Sequence, residues 1–359
     1  MSNPNGSGLR AARPTIAIAG QDVPALGDGL LGLTIDENTN GLYRCEALFG
    51  NWGNKDSEID YLYFDRRQID FGKALQVKIG RDVIFDGRIM GIEGIFPEGS
   101  GARKINVLAE DRFQDLRMTR RTRTFADLSD ADLMGQIARD HGLRPEIDVT
   151  GPTHKVLGQV NQSDLAFMRD RARAIDAELW MDGSTLHVQS RDRRRGGTKP
   201  MTYKKELYEF SALADLAGQR TSIAVSGWDV AGKSALRHEA MESILRGELN
   251  GDISGVSILR SAIGERKEAI AHTVPLTSQE VQREAESFFK MTARRFVIGR
   301  GSAEGDAQLR VGAFVDLLGL GPLFNGKYYL TEVRHIFSGA RGLLTEFVGE
   351  RPGLGQAGR

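Results

Sequence analysis

The chain has 359 residues, among which 48 Lys and Arg balance 48 Asp and Glu. A length of this order predicts two or three domains, since single domains usually span about 100–200 residues. The zero net charge argues against a protein that binds nucleic acid or an anionic membrane through bulk electrostatics. Cys45 is the only cysteine, so the sequence excludes an intrachain disulfide and indicates no cysteine zinc site.

The ends of the sequence carry no targeting or membrane signal. No apolar run approaches the roughly 18–20 residues that a membrane-spanning helix needs, and residues 1–13 lack the apolar core of a secretory signal. We therefore expect a soluble protein that is made in the cytoplasm. Residues 1–13 and 351–359 are rich in glycine and lack apolar periodicity, which predicts a flexible tail at each end.

Residues 14–120 are predicted to form a first antiparallel β-barrel. Short apolar runs such as Leu30–Asp36 and Leu75–Ile79 alternate with a period of two, as strands with one buried face do. Asp86-Gly87 lies between two such runs and predicts a tight hairpin turn. A barrel or sandwich is the simplest fold for so many short strands.

Residues 121–200 are predicted to form a small α+β middle domain. Ser129 begins a capping box, and apolar residues at helical spacing follow it. A second helix is predicted after Ser163, and it leads into a hairpin whose turn is Asp182-Gly183.

Residues 201–350 are predicted to form a second β-barrel with inserted helices. Thr277 and Glu280 make another capping box, which predicts a helix from 278 to 296. Phe85-Asp86-Gly87-Arg88 in the first barrel is echoed by Phe324-Asn325-Gly326-Lys327 in the second. We interpret the echo as a duplicated barrel that flanks the middle domain, with chance similarity of two hairpins as the alternative.

One motif suggests nucleotide chemistry. Gly227–Ser234 satisfies the G-x-x-x-x-G-K-[ST] pattern, in which backbone N–H groups cradle phosphates and Lys233 would reach the β/γ-phosphates. Trp228–Ala231 are bulky or acidic, however, and Asp229 would repel an anion. An NTPase that uses this loop is therefore an alternative and not our main hypothesis.

Other reactive residue types are scattered, and no catalytic, cofactor-binding or metal-binding residue is predicted. Cys45 lies in an alternating strand, as a structural thiol does. The basic runs Arg117–Arg123 and Arg191–Arg195 are predicted to be solvated loops. Asp127, Asp130 and Asp132 lie at a helix start, where compensation of the helix dipole explains them. The six histidines are spaced singly and predicted to be surface or turn residues: His141, His154, His187, His238, His272 and His335.

Several motifs together resemble a known family. They are Gln162–Met168, Ala177–Gly183, Val225–Asp229, Leu309–Gly312 and Phe324–His335. In this order, across about residues 15–350, they resemble the late control gene D proteins of contractile phages and R-type pyocins. They also resemble the hub half of VgrG spike proteins and the hubs of extracellular contractile injection systems. Phage, pyocin and injection system stay open as alternatives.

The resemblance implies a structural protein without enzymatic activity or cofactors. It implies a homotrimer in which each chain carries two barrels like those of the tail-tube subunit, so that the trimer adapts a sixfold inner tube to a threefold spike. The implied partners are the inner tube protein, a separate spike protein and other baseplate proteins, with no membrane and no specific nucleic acid. The implied location is the baseplate of a phage tail or phage-tail-like particle. The sequence ends at Arg359, soon after the last predicted strand, so we expect the spike tip on another chain. A glycan-binding or cell-wall-degrading tail protein is a further alternative.

Overall fold

The structure is a computed structural model that describes residues 13–55, 57–99, 101–194, 196–270 and 275–356. The predicted N-terminal tail lies outside the described residues, apart from Arg13, whose guanidinium donates a hydrogen bond of 3.0 Å to the carbonyl oxygen of Leu30. None of the helices in this part of the chain is long and apolar enough to cross a membrane.

The first set of strands, which we call the N-terminal half, ends with a short helix. Its elements are β1 (Thr15–Ile18), β2 (Gln21–Asp22), α1 (Pro24–Gly29), β3 (Leu30–Asn38), β4 (Arg44–Gly50), β5 (Gly53–Lys55), β6 (Glu58–Asp60), β7 (Ala74–Ile79), β8 (Asp82–Ile95), β9 (Lys104–Glu110) and α2 (Phe113–Arg117). The turn predicted at Asp86-Gly87 is wrong, because both residues lie inside β8. A Cβ at Gly87 would approach the carbonyl oxygen of Glu110 to 2.3 Å, so this glycine permits close contact between strands.

The middle region follows, and its predicted helix starts are confirmed. Its elements are β10 (Arg120–Ser129), α3 (Asp130–Asp140), β11 (Arg144–Asp148), β12 (Thr153–Ser163), α4 (Asp164–Ala174), β13 (Ala177–Asp182) and β14 (Thr185–Ser190). The Ser129 hydroxyl accepts a hydrogen bond of 3.2 Å from the Asp132 backbone N–H, which starts α3. Gly183 has φ +56° in the turn between β13 and β14, as a tight hairpin requires.

The C-terminal half carries the longest insertion. Its elements are β15 (Thr198–Thr202), β16 (Leu207–Ala214), β17 (Ser222–Asp229), β18 (Ser234–Met241), a 3₁₀ turn (Glu242–Leu245), β19 (Ile253–Ser254), α5 (Gly255–Ala262), β20 (Lys267–Ile270), α6 (Ser278–Arg294), β21 (Val297–Glu304), β22 (Phe314–Leu318), α7 (Gly321–Phe324), β23 (Gly326–Ser338), β24 (Gly342–Arg351) and β25 (Gly353–Leu354). The capping box at Thr277 is confirmed, and α6 ends two residues before the predicted 296.

The flexible tail predicted at 351–359 is wrong for its described part. Arg351 is 2% exposed, and β25 pairs with β19. The Arg351 guanidinium donates hydrogen bonds to the carbonyl oxygens of Gly353 at 2.7 Å and Asn325 at 2.6 Å, which fixes this segment against the fold. Residues 357–359 lie outside the described residues.

The two halves contain six principal strands each, in the same spatial order. Numbered along the chain within its own half, each set follows the order 2-3-6-5-4-1. This order is β3-β4-β9-β8-β7-β1 in the N-terminal half and β16-β21-β24-β23-β22-β15 in the C-terminal half. One pairing differs, because β1 is antiparallel to β7 whereas β15 is parallel to β22. β3 pairs with β23, so both halves belong to one thirteen-stranded sheet.

The irregularities of the strands repeat as well. The pairing of β8 with β9 skips Met90, and the pairing of β23 with β24 skips Thr331. The pairing of β3 with β4 skips Leu31, and that of β16 with β21 skips Tyr208. A β-bulge inserts one unpaired residue and bends its strand. Two bulges at matching places in each half therefore extend the correspondence from strand order to single residues.

Four apolar cores lie in the described part of the chain: one in each half, one in the middle region, and one between α6 and the sheet of β17, β18 and β20. Phe337 and Leu343 of the C-terminal half belong to the core of the N-terminal half. The two halves therefore share apolar packing as well as strand pairing. The prediction of a mainly β fold with α+β insertions, in which two strand-rich halves flank the middle region, is confirmed.

Candidate functional site

An open groove of about 1020 Å³ runs across the sheet where the two halves meet. We call it the polar groove. Residues of β3, β4, β16, β21, β23 and β24 line it, together with Arg169 of α4. It therefore spans both halves, and its position follows from the pairing of β3 with β23.

A row of polar and mostly charged side chains crosses this face of the sheet, and the sign of the charge alternates from Arg88 to Glu346. Residues that lie directly opposite one another on neighbouring strands point to the same face. The successive pairings give the row Arg88, Glu110, Arg44, Asp36, Arg334, Glu346, Ser302 and Glu209.

The ion pairs of this row lie at a surface that water reaches. Arg44 Nε lies 3.3 Å from Glu110 Oε1, and Arg334 Nε lies 2.5 Å from Asp36 Oδ1. The Arg334 and Asp36 side chains remain 53% and 40% exposed, so each such pair contributes only about 0–1 kcal/mol to stability. Alternating charge instead gives a hydrophilic face with little net charge.

Glu37 connects the two halves beneath the groove. It is 2% exposed, forms an ion pair with Arg310, and accepts a hydrogen bond of 3.2 Å from the Val311 backbone N–H. Burial raises the pKa of Glu37, against the opposing effect of the Arg310 guanidinium. Because Glu37 belongs to β3 and its partners precede β22, this contact fixes the relative position of the halves. The sequence analysis did not select Glu37, since a single acidic residue in a strand carries no pattern.

Arg194 is a second buried connection, and it lies between all three parts of the chain. Its guanidinium donates hydrogen bonds to Glu178 Oε2 at 2.8 Å and to the carbonyl oxygen of Val311 at 2.6 Å. It also lies 4.2 Å from the ring centroid of Trp180 and 3.4 Å from the Tyr43 hydroxyl. We call Arg194 and these partners the arginine junction.

The prediction that Arg191–Arg195 form a solvated loop is therefore wrong for two of its residues. The Arg191 and Arg194 side chains are 12% and 7% exposed. Arg191 forms an ion pair with Glu350 and lies 3.7 Å from the Tyr329 ring centroid. Aromatic faces and carboxylates compensate both charges, which allows their burial. Arg193 is 49% exposed, as predicted, and Arg195 lies outside the described residues.

The run Arg117–Arg123 is also ordered differently from the prediction. Arg120 begins β10, so most of the run belongs to a strand end and not to a free loop. Arg123 Nη2 lies 2.7 Å from Asp164 Oδ1, and Arg117 Nη2 lies 2.5 Å from Glu110 Oε2. Carboxylates of this chain therefore already occupy these two arginines.

The loop that matches a phosphate-binding motif is a hairpin turn. Gly227–Ser234 spans the end of β17, the turn, and the start of β18, so a strand follows Lys233 and not a helix. Oδ1 of Asp229 accepts hydrogen bonds from the backbone N–H groups of Ala231 at 2.9 Å and Gly232 at 3.0 Å. Two N–H groups that would cradle a phosphate are thus already bound to a carboxylate of the same loop.

Two histidines predicted to be on the surface are buried. His335 is 0% exposed with Nδ1 3.0 Å from the Thr345 hydroxyl, and burial and the Arg310 charge lower its pKa to about 3. His154 Nε2 lies 3.0 Å from Asp130 Oδ2, and His154 Nδ1 lies 2.5 Å from Glu280 Oε1. Burial opposes the charge of His154, but these two carboxylates outweigh it and raise the pKa of His154 to about 9.

The His154 cluster changes the interpretation of the nearby acidic residues. Asp130 is 1% exposed and also accepts a hydrogen bond of 2.6 Å from Arg171 Nε. Its charge is therefore compensated mainly by Arg171 and His154 and less by the dipole of α3. Asp132 caps α3, and Asp127 lies 3.2 Å from Lys155 at the surface. Because Glu280 belongs to α6, the cluster connects the middle region to the insertion of the C-terminal half.

The remaining candidate residues have local structural partners. His141 Nε2 lies 2.8 Å from Asp164 Oδ2, and the His187 ring stacks on Trp180 at 4.9 Å. His238 lies in β18, and His272 lies outside the described residues. Cys45 is buried, and burial raises the pKa of its thiol. Across the described ranges, no group of three His, Cys, Asp or Glu residues is arranged to hold a metal ion.

Comparison with solved structures identifies proteins of the same fold at low sequence identity. A 43 kDa tail protein of prophage MuSo2 from Shewanella oneidensis has a TM-score of 0.69 at 11% identity, covering 95% of this chain and 98% of that chain. A tail protein from Neisseria meningitidis MC58 has a TM-score of 0.68 at 10% identity, covering 94% and 96%. An E. coli component of the type VI secretion system, described as structurally similar to bacteriophage T4 tail proteins, has a TM-score of 0.57 at 13% identity, covering 95% and 79%.

At the level of sequence, no curated protein matches this chain. One family model, described as the Alg8 N-terminal domain, matches residues 17–338. That match extends from β1 to the end of β23 and so includes both halves and the middle region. The chain therefore belongs to the Alg8 N-terminal domain family.

Proposed function

We propose that this protein is a structural hub of a contractile injection particle, a homotrimer that connects a sixfold inner tube to a threefold spike. The observation that carries the proposal is the repeated strand order, 2-3-6-5-4-1, in two halves that pair edge to edge. Two similar units in each chain give six similar units in a trimer, while each chain as a whole repeats three times. We propose the division 14–120, 121–200 and 201–350, with each outer part equivalent to a tail-tube barrel.

The similar solved structures support this proposal, since they are described as tail proteins and as a type VI secretion component. The partners that we propose are the inner tube protein, a separate spike protein and other baseplate proteins. The role is structural and not catalytic, within a phage tail or a phage-tail-like particle. The polar groove would then line a central channel, where alternating charge would keep the wall wet without holding cargo of either sign.

The experiment that tests the hub is a mass measurement combined with imaging. The purified full-length protein should have a solution mass of three 39.4 kDa chains by light scattering. Particles viewed along their axis in negative stain should show a ring of six similar lobes with threefold symmetry. When co-expressed with the inner tube protein of the same particle, the hub should cap one end of the tubes. A stable monomer that does not bind tube ends would overturn the proposal.

A further inference from the structure

The sheet has an unpaired outer edge in the C-terminal half. β16 pairs with β21 on one side and, among the described residues, no strand pairs with its other side. Leu213 in this strand is 63% exposed and Tyr208 is 43% exposed. An exposed strand edge with apolar side chains is a site at which another strand can add.

A second unpaired edge lies in the N-terminal half. β8 pairs with β9 along its second part, but its pairing with β7 covers only Asp82–Arg88. From Gly91 to Ile95, the side of β8 opposite β9 has no strand partner in the described part of the chain. Phe96 follows directly and is 62% exposed.

The chain already contains a contact between the equivalents of these two edges. β3 is the counterpart of β16, and β23 is the counterpart of β8, by strand order and by bulge position. β3 pairs antiparallel with β23 after the bulge at Thr331. The β3 edge of the N-terminal half is therefore paired with the C-terminal half. The equivalent edge of the C-terminal half, at β16, is unpaired among the described residues.

The exposed fractions of equivalent side chains in the two halves differ as the paired and unpaired edges predict. Phe337 of β23 is 5% exposed and lies in the core of the neighbouring half, opposite Leu33 of β3. Its counterpart in the N-terminal half is Phe96, at 62% exposed, and the counterpart of Leu33 is Phe210. Phe210 packs only partly against the core of the C-terminal half. Phe96 thus stays largely exposed beside Tyr61 and Phe64 of its own half, at ring-centroid distances of 6.3 and 5.8 Å. Among the described residues, the core of the C-terminal half receives no side chain from the N-terminal half.

We propose that β16 of one copy pairs antiparallel with β8 of a second copy, in the register that β3 and β23 adopt within the chain. Alignment of the bulges at Met90 with Thr331 and at Leu31 with Tyr208 fixes the pairs. Arg334 opposite Asp36 becomes Glu93 opposite Leu213, and Val333 opposite Glu37 becomes Ile92 opposite Ala214. Phe96 lies opposite Phe210 and is buried against the core of the C-terminal half of the second copy.

The contact is head-to-tail, so every copy uses both edges, and the copies form a ring if the rotation closes. The number of copies in the ring rests on the hub function proposed above, whereas the register rests only on the repeat. The sheet would then continue through the ring without an open edge at β16, which removes a hazard of unwanted strand addition.

Engineered cysteines test the register. The double variant Glu93→Cys and Leu213→Cys should form an intermolecular disulfide under mild oxidation, visible as covalent oligomers on a non-reducing gel. The matched control is Glu93→Cys with Ser211→Cys, which moves one partner two residues along the same face. Diagonal neighbours of this kind are about 7–8 Å apart, too far for a disulfide without backbone movement. Cys45 is 1% exposed and should not react.

A second variant tests the aromatic contact. Phe96→Asp replaces a side chain that is 62% exposed in one copy, where it contacts Tyr61 and Phe64. It should shift the protein from oligomer to monomer while the circular dichroism spectrum stays that of the folded wild type. Val160→Asp is the control, because Val160 is 69% exposed on β12 and lies outside both edges. It should leave the oligomer intact.

The outcomes separate the register from the hub function. A wild-type trimer that shows no Glu93–Leu213 crosslink and survives Phe96→Asp would overturn the register and leave the hub function standing. A specific crosslink in rings or chains of another size would support the register and overturn the trimeric hub. Equal crosslinking by the matched control pair would overturn the register in either case.

Discussion

Arg194 Nη2 donates a hydrogen bond of 2.6 Å to the carbonyl oxygen of Val311, across 117 positions of the sequence. The arginine belongs to the connector after the middle region, and the carbonyl belongs to the loop before β22. The same guanidinium contacts Trp180 and Tyr43, in the middle region and the N-terminal half. One side chain therefore holds three parts of the chain together.

Removal of this guanidinium should destabilise the whole protein. Arg194→Met removes the buried cation that pairs with Glu178 and leaves that carboxylate only its hydrogen bond from the Tyr329 hydroxyl. The loss of one partner from a buried ion pair typically costs about 3–5 kcal/mol. Arg193→Met is the matched control from the same connector, where the side chain is 49% exposed and the expected cost is below about 1 kcal/mol. Urea denaturation of both variants measures the difference. Equal midpoints would contradict a structural role for the junction.

Gly312 should tolerate no side chain, because a Cβ atom there would collide with Arg194. A second glycine with a similar φ but open space, Gly197, separates this collision from backbone strain. Gly312 has φ +91°, and a Cβ there would lie 2.0 Å from Nε of Arg194. Gly197 has φ +81° with open space around its Cβ position. Gly197→Ala should therefore cost about 1–2 kcal/mol from backbone conformation alone, whereas Gly312→Ala should cost clearly more. Thermal unfolding of the pair checks this, and similar melting temperatures would refute it.

Stability should fall with rising pH between about 7 and 9 because of His154. Its folded pKa of about 9 lies above the ordinary value of 6.5. The protonated form thus stabilises the fold fully below pH 6.5, and that contribution disappears as the pH rises through 9. The groups that face it are Asp130, Glu280 and Arg171.

The measurement is the melting temperature of wild type and His154→Gln from pH 7 to 9. This window avoids most of the loss due to Asp111, whose pKa burial raises to about 7. Wild type should lose stability across the window, and the variant should start lower and change less. Parallel curves for the two proteins would show that His154 does not carry the effect.

The turn at Asp229 should behave as a structural hairpin and not as a nucleotide site. Asp229→Ala removes the acceptor of two backbone N–H groups and should cost about 1 kcal/mol. Lys233→Ala should change stability by less than about 0.5 kcal/mol, and Mg·ATP should not raise the melting temperature of wild type. A rise with Mg·ATP that Lys233→Ala abolishes would restore the nucleotide hypothesis.

Local signals in the sequence predicted the local structure well. Ser129 and Thr277 predicted helix starts because a capping box is complete within four residues. The echo of Phe85–Arg88 in Phe324–Lys327 indicated a repeat but does not align the two halves. The echoed segments differ by 239 positions, whereas the bulges at Met90 and Thr331 differ by 241, so the echo is two residues out of register. Gly87 also lies where two strands approach closely and not in a turn.

The contacts that join distant segments could not be predicted. Arg194, Glu37 and His154 meet partners that are 117, 274 and 126 positions away. A basic run such as Arg191–Arg195 predicts solvent exposure until the fold supplies aromatic faces and carboxylates that compensate the charge. The charged row across the sheet has the same origin, because its eight residues come from eight different strands and become neighbours only through the register of the sheet.

The two halves share one strand order, but their inserted elements lie between different principal strands. The N-terminal half has β5 and β6 between its third and fourth principal strands, whereas the C-terminal half has β17 through α6 between its second and third. In a ring of three copies, the backbone of the shared sheet would repeat every sixth of a turn, whereas these two insertions would alternate, one small and one large. A partner that binds the insertions would therefore find only three equivalent binding sites.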